Sequence, residues 1–276
     1  MGKKLLEIQD LSFAYEDKQV LKDICVTVEK GEKIAVMGSN GAGKSTFFLN
    51  LNGVLQSDQG KIFLDGNKIG KKDFGKLHEK VGFVFQDADS QIIASNVKAE
   101  ISFGPMNLGL PGDEVLRRVK SAITYMNLED FTDRAPHYLS GGEKKRVSIA
   151  DILAMESEIL IFDEPMAALD PVNAENVEQV LSRLHNDGKT LLIATHDVDF
   201  AYRFADRVLV FSDGEIIADG TPLQIFQQKE VMERAHLKKP AMMIVWETLV
   251  SKGMAKNQGD YPTTPEQMIR KLTIET

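Results

Sequence analysis

The chain has one cysteine, Cys25, and one tryptophan in 276 residues. A lone thiol excludes an intramolecular disulfide. Its place in the alternating run Ile24-Cys25-Val26-Thr27-Val28 predicts a small buried strand residue rather than a reactive thiol. The five histidines are scattered and show no metal-ligand spacing. No apolar run approaches the roughly 18 residues needed to span a bilayer. The opening MGKKLLEIQD carries no apolar core of signal-peptide length. A basic excess is lacking as well: 33 Lys and Arg stand against 41 Asp and Glu, for a net charge of −8. That balance argues against nucleic acid, which is held by neutralising phosphates with basic side chains. These absences together predict a cytoplasmic chain, for which any membrane role must come through a partner.

With 43% hydrophobic and 27% charged residues, the composition is that of a soluble globular protein. The length suits one large domain, or one domain with an appendage. The most informative stretch is Val36-Met37-Gly38-Ser39-Asn40-Gly41-Ala42-Gly43-Lys44-Ser45-Thr46, which fits G-x-x-x-x-G-K-[ST]. Lys33–Met37 before it reads as a short buried strand, and Ser45–Asn52 after it as a helix start. A loop between a strand and a helix N-terminus aims several backbone N–H groups into one concavity, where phosphate oxygens can be held. Lys44 would reach the β- and γ-phosphates, and the Ser45 hydroxyl would ligate Mg²⁺.

Leu5 to Val28 is strand-like and predicts an antiparallel sheet laid before this loop. Tyr15, closing Leu11-Ser12-Phe13-Ala14-Tyr15, is either a packing aromatic or a platform for an adenine ring. Val81–Phe85 forms an apolar strand ending on Gln86, whose amide can reach a metal or a water, or simply cap the strand. Asp87 to Gly112 is mixed in composition and reads as a surface segment. Beyond it Val115, Leu116, Val119, Ala122, Ile123 and Met126 share a helical face. The stretch of about 87–157 is thus predicted to be a helical subdomain inserted into an α/β core. Leu139-Ser140-Gly141-Gly142-Glu143 opens the next helix. Ser140 and Glu143 have capping-box spacing, whereas the two glycines favour an exposed helix start that can bind an anion. Lys144, Lys145 and Arg146 read as a solvated helix face.

Ile159–Phe162 is a continuous apolar strand of the kind buried on both faces, and it ends in Asp163-Glu164-Pro165. Two adjacent carboxylates at that edge are costly to bury without a cation, and ligands of open α/β sheets bind there. Asp163 is expected to hold Mg²⁺, and Glu164 to polarise a water. Ala168-Leu169-Asp170-Pro171 is a turn before a helix carrying Val177, Val180, Leu181 and Leu184. Lys189–Thr195 is a further core strand, and it delivers His196, a γ-phosphate sensor candidate. Arg207–Val210 and Gly214–Ala218 read as closing strands, and Thr221-Pro222 as the start of a helix through about Val231. Residues 232–276 keep helical pieces and form a small C-terminal appendage.

Taken in order, the phosphate loop, Gln86, LSGGE, IFDE, ALD and His196 resemble the nucleotide-binding domain of ABC transporters, over about Leu5 to Val231. Asn50–Gly53, Phe85–Gln91 and Phe103–Pro111 further resemble the energy-coupling-factor ATPases, most of all those of cobalt importers, with nickel and vitamin importers nearby. The resemblance implies a P-loop α/β fold of the ABC ATPase type, with an antiparallel β subdomain and an inserted helical subdomain. Residues 1–231 would be the nucleotide-binding domain, and 232–276 an element that helps two ATPases dimerise. It implies ATP and Mg²⁺ as cofactors. It also implies a transmembrane scaffold and a membrane substrate-binding component as partners, at the cytoplasmic face of the membrane. Two ATPase chains, identical or related, would sandwich two ATP molecules. Each would lie between Gly38–Thr46 of one chain and Ser140-Gly141-Gly142 of the other. Tyr15 would stack on adenine, and Ser45, Gln86 and Asp163 would serve the metal. Glu164 would activate water, and His196 would contact the γ-phosphate.

Four residues depart from the family pattern. Met166 stands for the usual Thr, Ala168 for a frequent Gly, Glu143 for Gln, and Asp151 for a small residue in an apolar run. A soluble ABC-type ATPase acting on DNA or ribosomes is the other reading. The acidic balance, the short interval between Lys44 and Asp163, and a single phosphate loop weigh against it.

Overall fold

The computed structural model describes residues 2–57, 59–256 and 259–272. In chain order the first elements are β1 (Lys4–Tyr15), β2 (Lys18–Glu29), β3 (Lys33–Met37), α1 (Lys44–Asn52), β4 (Gln59–Leu64), β5 (Asn67–Lys68), α2 (Phe74–Lys80) and β6 (Val81–Val84). Next come α3 (Val97–Asn107), α4 (Gly112–Tyr125), α5 (Gly141–Ala154), β7 (Ile159–Asp163), α6 (Pro171–Asn186), β8 (Thr190–Ala194) and α7 (Val198–Phe204). The last are β9 (Arg207–Ser212), β10 (Glu215–Gly220), α8 (Pro222–Phe226), α9 (Lys229–Arg234), α10 (Ala241–Ser251) and α11 (Pro265–Leu272).

The chain divides into two compact units, one built from the segment up to Glu32 with Ser45–Ala194, the other from Lys33–Lys44 with Thr195–Thr276. In the first unit an antiparallel sheet runs in the order β2-β1-β4-β5. Its alternation buries Leu6, Ile8, Leu21, Ile24, Val26 and Val28, as the period of two requires. That same alternation puts Cys25 on the exposed face. The buried position expected for it is therefore wrong: Ile24 and Val26 take the inner face, and Cys25 Sγ accepts from the Asp10 N–H at 3.1 Å.

The first unit also holds three parallel strands, with β7 between β6 and β8. All five residues of β7 and of β8 are buried, which explains the apolar runs Ile159–Phe162 and Leu191–Ala194 within them. The register Val84↔Phe162 and Asp163↔Ala194 brings the three strand ends to one edge, from which Gln86, Asp163 and Glu164 emerge. The segment expected to be surface, Asp87 to Gly112, contains the full helix α3. Asn96 caps it by accepting from the Ala99 N–H at 2.8 Å, and Val97 and Ile101 are fully buried. Pro105 sits late in this helix, so the proline did not end it where a strict breaker rule predicts. In α4, Val115, Val119, Ala122 and Ile123 are buried as expected, but Leu116 is exposed.

In the second unit β3 pairs parallel to β9, and β9 antiparallel to β10. Ala35, Met37, Val208 and Val210 pack with Ile225, Phe226, Met232 and Met243 in one core. The single helix expected from Thr221 is two, α8 and α9. Thr221 caps the first with a full capping box, and Gln228 restarts the second from an extended conformation.

Candidate functional site

The phosphate loop leaves β3 in the second unit. Gly38 has φ +141, and a Cβ there would lie 3.0 Å from the Phe211 carbonyl carbon and nearer still to its oxygen. Only glycine fits that crossing. Gly41 and Gly43 also have positive φ, +80 and +104. The loop is closed by Ala42 N–H to Ser39 O at 3.2 Å, and Gly214 N–H donates to Ala42 O at 3.1 Å. Lys44 is buried to 6% exposure. Its ammonium lies across the loop, donating to Gly38 O at 2.7 Å and Ser39 O at 3.1 Å. His196 is exposed directly after the buried Thr195, whose N–H donates to Val36 O at 3.2 Å.

In the first unit, Ser45 lies in the first turn of α1 and donates its hydroxyl to Asp163 Oδ2 at 2.6 Å. Two residues 118 positions apart thereby converge, a hydroxyl and a buried carboxylate. Hard oxygen donors of this kind suit Mg²⁺, which takes few protein ligands beside water and phosphate oxygens. Among the described residues no group of three or more His, Cys, Asp or Glu is placed to hold a metal ion. Glu164 follows at φ +44, its N–H bonded to Ala194 O at 3.1 Å. Gln86 is exposed just past β6. Tyr15 is 46% exposed, edge-on to Phe13 with ring centroids 5.0 Å apart.

The LSGGE segment builds the capping box its spacing predicted. Ser140 Oγ accepts from the Glu143 N–H at 3.4 Å, and Glu143 Oε2 accepts from the Ser140 N–H at 2.7 Å. The Ser140 N–H and hydroxyl hold the Glu143 carboxyl below its usual range. Gly141 opens on free space, whereas a Cβ on Gly142 would meet the Asn173 amide, with Cγ at 2.6 Å.

An ABC transporter family profile matches residues 21–167, more than half of the chain. The chain belongs to the ABC transporter family. It is 47% identical to the energy-coupling factor transporter ATP-binding protein EcfA of Methanothermobacter thermautotrophicus, over 86% of this chain and 77% of that protein. It is 45% identical to EcfA of Methanocaldococcus jannaschii over 90% of both chains. Among solved structures, cbiO1 from Clostridium perfringens, part of the ABC transporter complex cbiONQ, superposes with a TM-score of 0.75 at 38% identity. That match covers 89% of this chain and 99% of cbiO1. The ABC ATPase fold expected from the sequence is the fold found, with its antiparallel sheet, parallel strands and inserted helices.

Within this ABC ATPase, sequence reasoning missed three residues. Lys145 is not on a solvated face: it is 2% exposed and donates to Phe85 O at 2.9 Å and Gln86 O at 2.7 Å. Burial pulls its ammonium down to about 8, against the pull of Asp87 and Asp163. Its spacing from Gly142 and Ile149 puts it on the buried stripe of α5, a signal available from periodicity. Gln91 and Asn173 carry no such signal, because what they meet on α5, Ser148 and Asp151 for Gln91 and Gly142 for Asn173, comes from another element.

Proposed function

We propose that this chain is the ATP-hydrolysing motor subunit of an energy-coupling-factor importer, a Mg²⁺-dependent ATPase coupled to transmembrane import. The observation that carries the reading is the Ser45–Asp163 hydrogen bond at 2.6 Å. It joins the helix after the phosphate loop to the carboxylate strand through the two groups that would hold the metal. Bound Mg²⁺–ATP supplies the reactive phosphoanhydride and the phosphate charge that these donors would receive.

The chain's own groups then have separable tasks. Backbone N–H groups of Gly38, Ser39, Asn40, Gly41, Gly43, Lys44, Ser45 and Thr46 would donate to phosphate oxygens, Ala42 would shape the loop through its N–H bond to Ser39 O, and the Lys44 ammonium would add positive charge. Ser45, Asp163 and Gln86 attend the metal. Glu164 takes the proton of the attacking water, and His196 donates to the γ-phosphate. Tyr15 offers its exposed face to adenine. Ser140, Gly141 and Gly142 would complete the site of a second ATPase chain. The exposed Ser140 and the open space at Gly141 support that task.

In this reading 1–231 is the nucleotide-binding domain, with its helical subdomain at about 87–157. Residues 232–276 are a dimerisation element. A transmembrane scaffold and a membrane substrate-binding component are the partners, at the cytoplasmic face of the membrane. The exposed apolar side chains Ile93 (72%), Phe103 (50%) and Met106 (63%) support a partner docking on the segment after Gln86. Cobalt is the proposed cargo, on the likeness of the motif set to cobalt-importer ATPases.

The test is ATP hydrolysis by the purified chain with and without Mg²⁺, together with Glu164→Gln. That variant is expected to keep ATP binding and to lose about 10²–10⁴-fold in turnover. Near-normal turnover would refute the role given to Glu164. Copurification from native membranes with a scaffold and one metal-type component supports the cargo, and a catch of several vitamin-binding membrane proteins overturns it.

A further inference from the structure

Asp151 is the departure that the motor reading leaves unexplained: a carboxylate on α5 in an otherwise apolar run. Its Oδ2 accepts from Gln91 Nε2 at 3.2 Å. The same Nε2 donates to Ser148 O at 3.0 Å, one turn earlier on the helix. The other end of that amide, Oε1, accepts from the Phe85 N–H at 3.2 Å. One side chain therefore spans from α5 to the end of β6, immediately before Gln86. Lys145, on the same helix, reaches the Phe85 and Gln86 carbonyls from the other direction. On α3, Glu100 Oε2 accepts from the Ile93 and Ala94 N–H groups at 3.0 and 2.6 Å, fixing the far end of the segment. Gly104 lets α3 pass close to Met155 and Asp151, where a Cβ would lie 2.7 Å from Met155 Cγ.

We propose that Asp151 is a positioning residue for ATP hydrolysis: by orienting Gln91 it fixes the segment 85–91 against α5, and so sets where Gln86 stands. The proposal rests on the reading that Gln86 serves the metal and the attacking water. Donor and acceptor logic supports it. With Asp151 and Ser148 O both accepting, only Nε2 of Gln91 can face α5, so Oε1 must face Phe85. The bond is charge-assisted when Asp151 is ionised. Burial pushes the Asp151 carboxyl up to about 7, with the Gln91 bond lowering it and the charge of Glu100 raising it. From the 88–91 turn Asp151 therefore meets the neutral Gln91, and from α3 the carboxylate Glu100. No other charged group among the described residues shifts it. Both ionisation states are accordingly populated near neutral pH.

The experiment uses the full chain with Mg²⁺–ATP and compares kcat, KM and the pH profile for five proteins: wild type, Asp151→Ala, Asp151→Asn, Gln91→Glu, and the double variant Gln91→Glu with Asp151→Asn. ATP binding and thermal melting of each serve as controls for folding. Loss of the acceptor in Asp151→Ala is expected to lower kcat about 5-fold, the worth of one hydrogen bond, with KM unchanged. Asp151→Asn keeps an acceptor for Gln91 and is expected to retain the rate, while losing the wild-type change in kcat across pH 6–8. Gln91→Glu faces two carboxylates together and is expected to lose more. Adding Asp151→Asn, whose amide can donate to the new carboxylate, is expected to recover part of it. Unchanged kcat in folded, ATP-binding Asp151→Ala overturns the proposal while leaving the ATPase reading intact. Absence of rescue in the double variant also overturns it. If the wild type binds ATP but never hydrolyses it, and Glu164→Gln changes nothing, the ATPase reading and this proposal fall together.

Discussion

Gly142→Ala sets two effects of opposite sign against each other. Gly142 lies in the first turn of α5, after the Ser140 cap. Alanine in a helix is favoured over glycine by roughly 0.5–1 kcal/mol, so propensity alone makes the variant more stable. The new Cβ, however, would lie 2.6 Å from Asn173 Cγ and 3.1 Å from its Nδ2. The Asn173 side chain cannot simply swing aside, because Nδ2 donates to Asp170 Oδ2 at 2.5 Å. Asp170 in turn caps α6, accepting from the Val172 and Asn173 N–H groups at 3.0 Å each. Overpacking costs about 1–3 kcal/mol, and breaking an exposed hydrogen bond adds about 1 kcal/mol or less. The clash wins, and the expected net loss is about 1–2 kcal/mol. Removing the obstacle reverses the sign: in an Asn173→Ala background, Gly142→Ala is expected to stabilise by about 0.5 kcal/mol. Urea denaturation of the four proteins, followed by far-UV circular dichroism, measures the cycle. A neutral or stabilising Gly142→Ala in the wild-type background would refute the reasoning. So would a destabilisation that persists after Asn173→Ala.

Two further outcomes are expected. Ala168 holds φ +60, in the left-handed region that favours glycine. Left-handed backbone costs an L-residue about 1 kcal/mol or more, partly offset by the larger unfolded-state freedom of glycine. Ala168→Gly is thus expected to stabilise by about 0.5 kcal/mol in the same urea assay, and a loss of stability would show that the strain is compensated locally. For Asp151, the folded carboxyl titrates at about 7, above its ordinary value of 3.8. A raised acid favours the folded state while protonated, so the wild type loses stability as pH rises from about 4 to 7 and is level above that. Asp151→Asn removes this slope. Its advantage over wild type is expected to be larger at pH 8 than at pH 5 by about 2–3 kcal/mol, and an equal difference at both pH values would contradict the burial assigned to the carboxyl.

Local chemistry explains why so much of the site was legible in the sequence. The phosphate loop, the Ser140–Glu143 box and the strand β7 each depend on neighbours within a few residues: Gly38 needs its φ, Ser140 needs Glu143 three positions on, and Ile159–Phe162 needs only apolar runs. The sequence by itself therefore determined the nucleotide-binding class and the order of the motifs. It did not determine which polar residues turn inward. Lys145, Gln91 and Asp151 look solvent-facing by type, yet Lys145 is buried because α5 lays it against the end of β6. Cys25 looked buried and is exposed, because the face a strand residue takes is settled by which neighbours the sheet covers. The meeting of Ser45 with Asp163 and the closeness of Gly142 to Asn173 belong to tertiary structure alone, since only the packed sheet and helices bring residues so far apart in the chain within bonding distance.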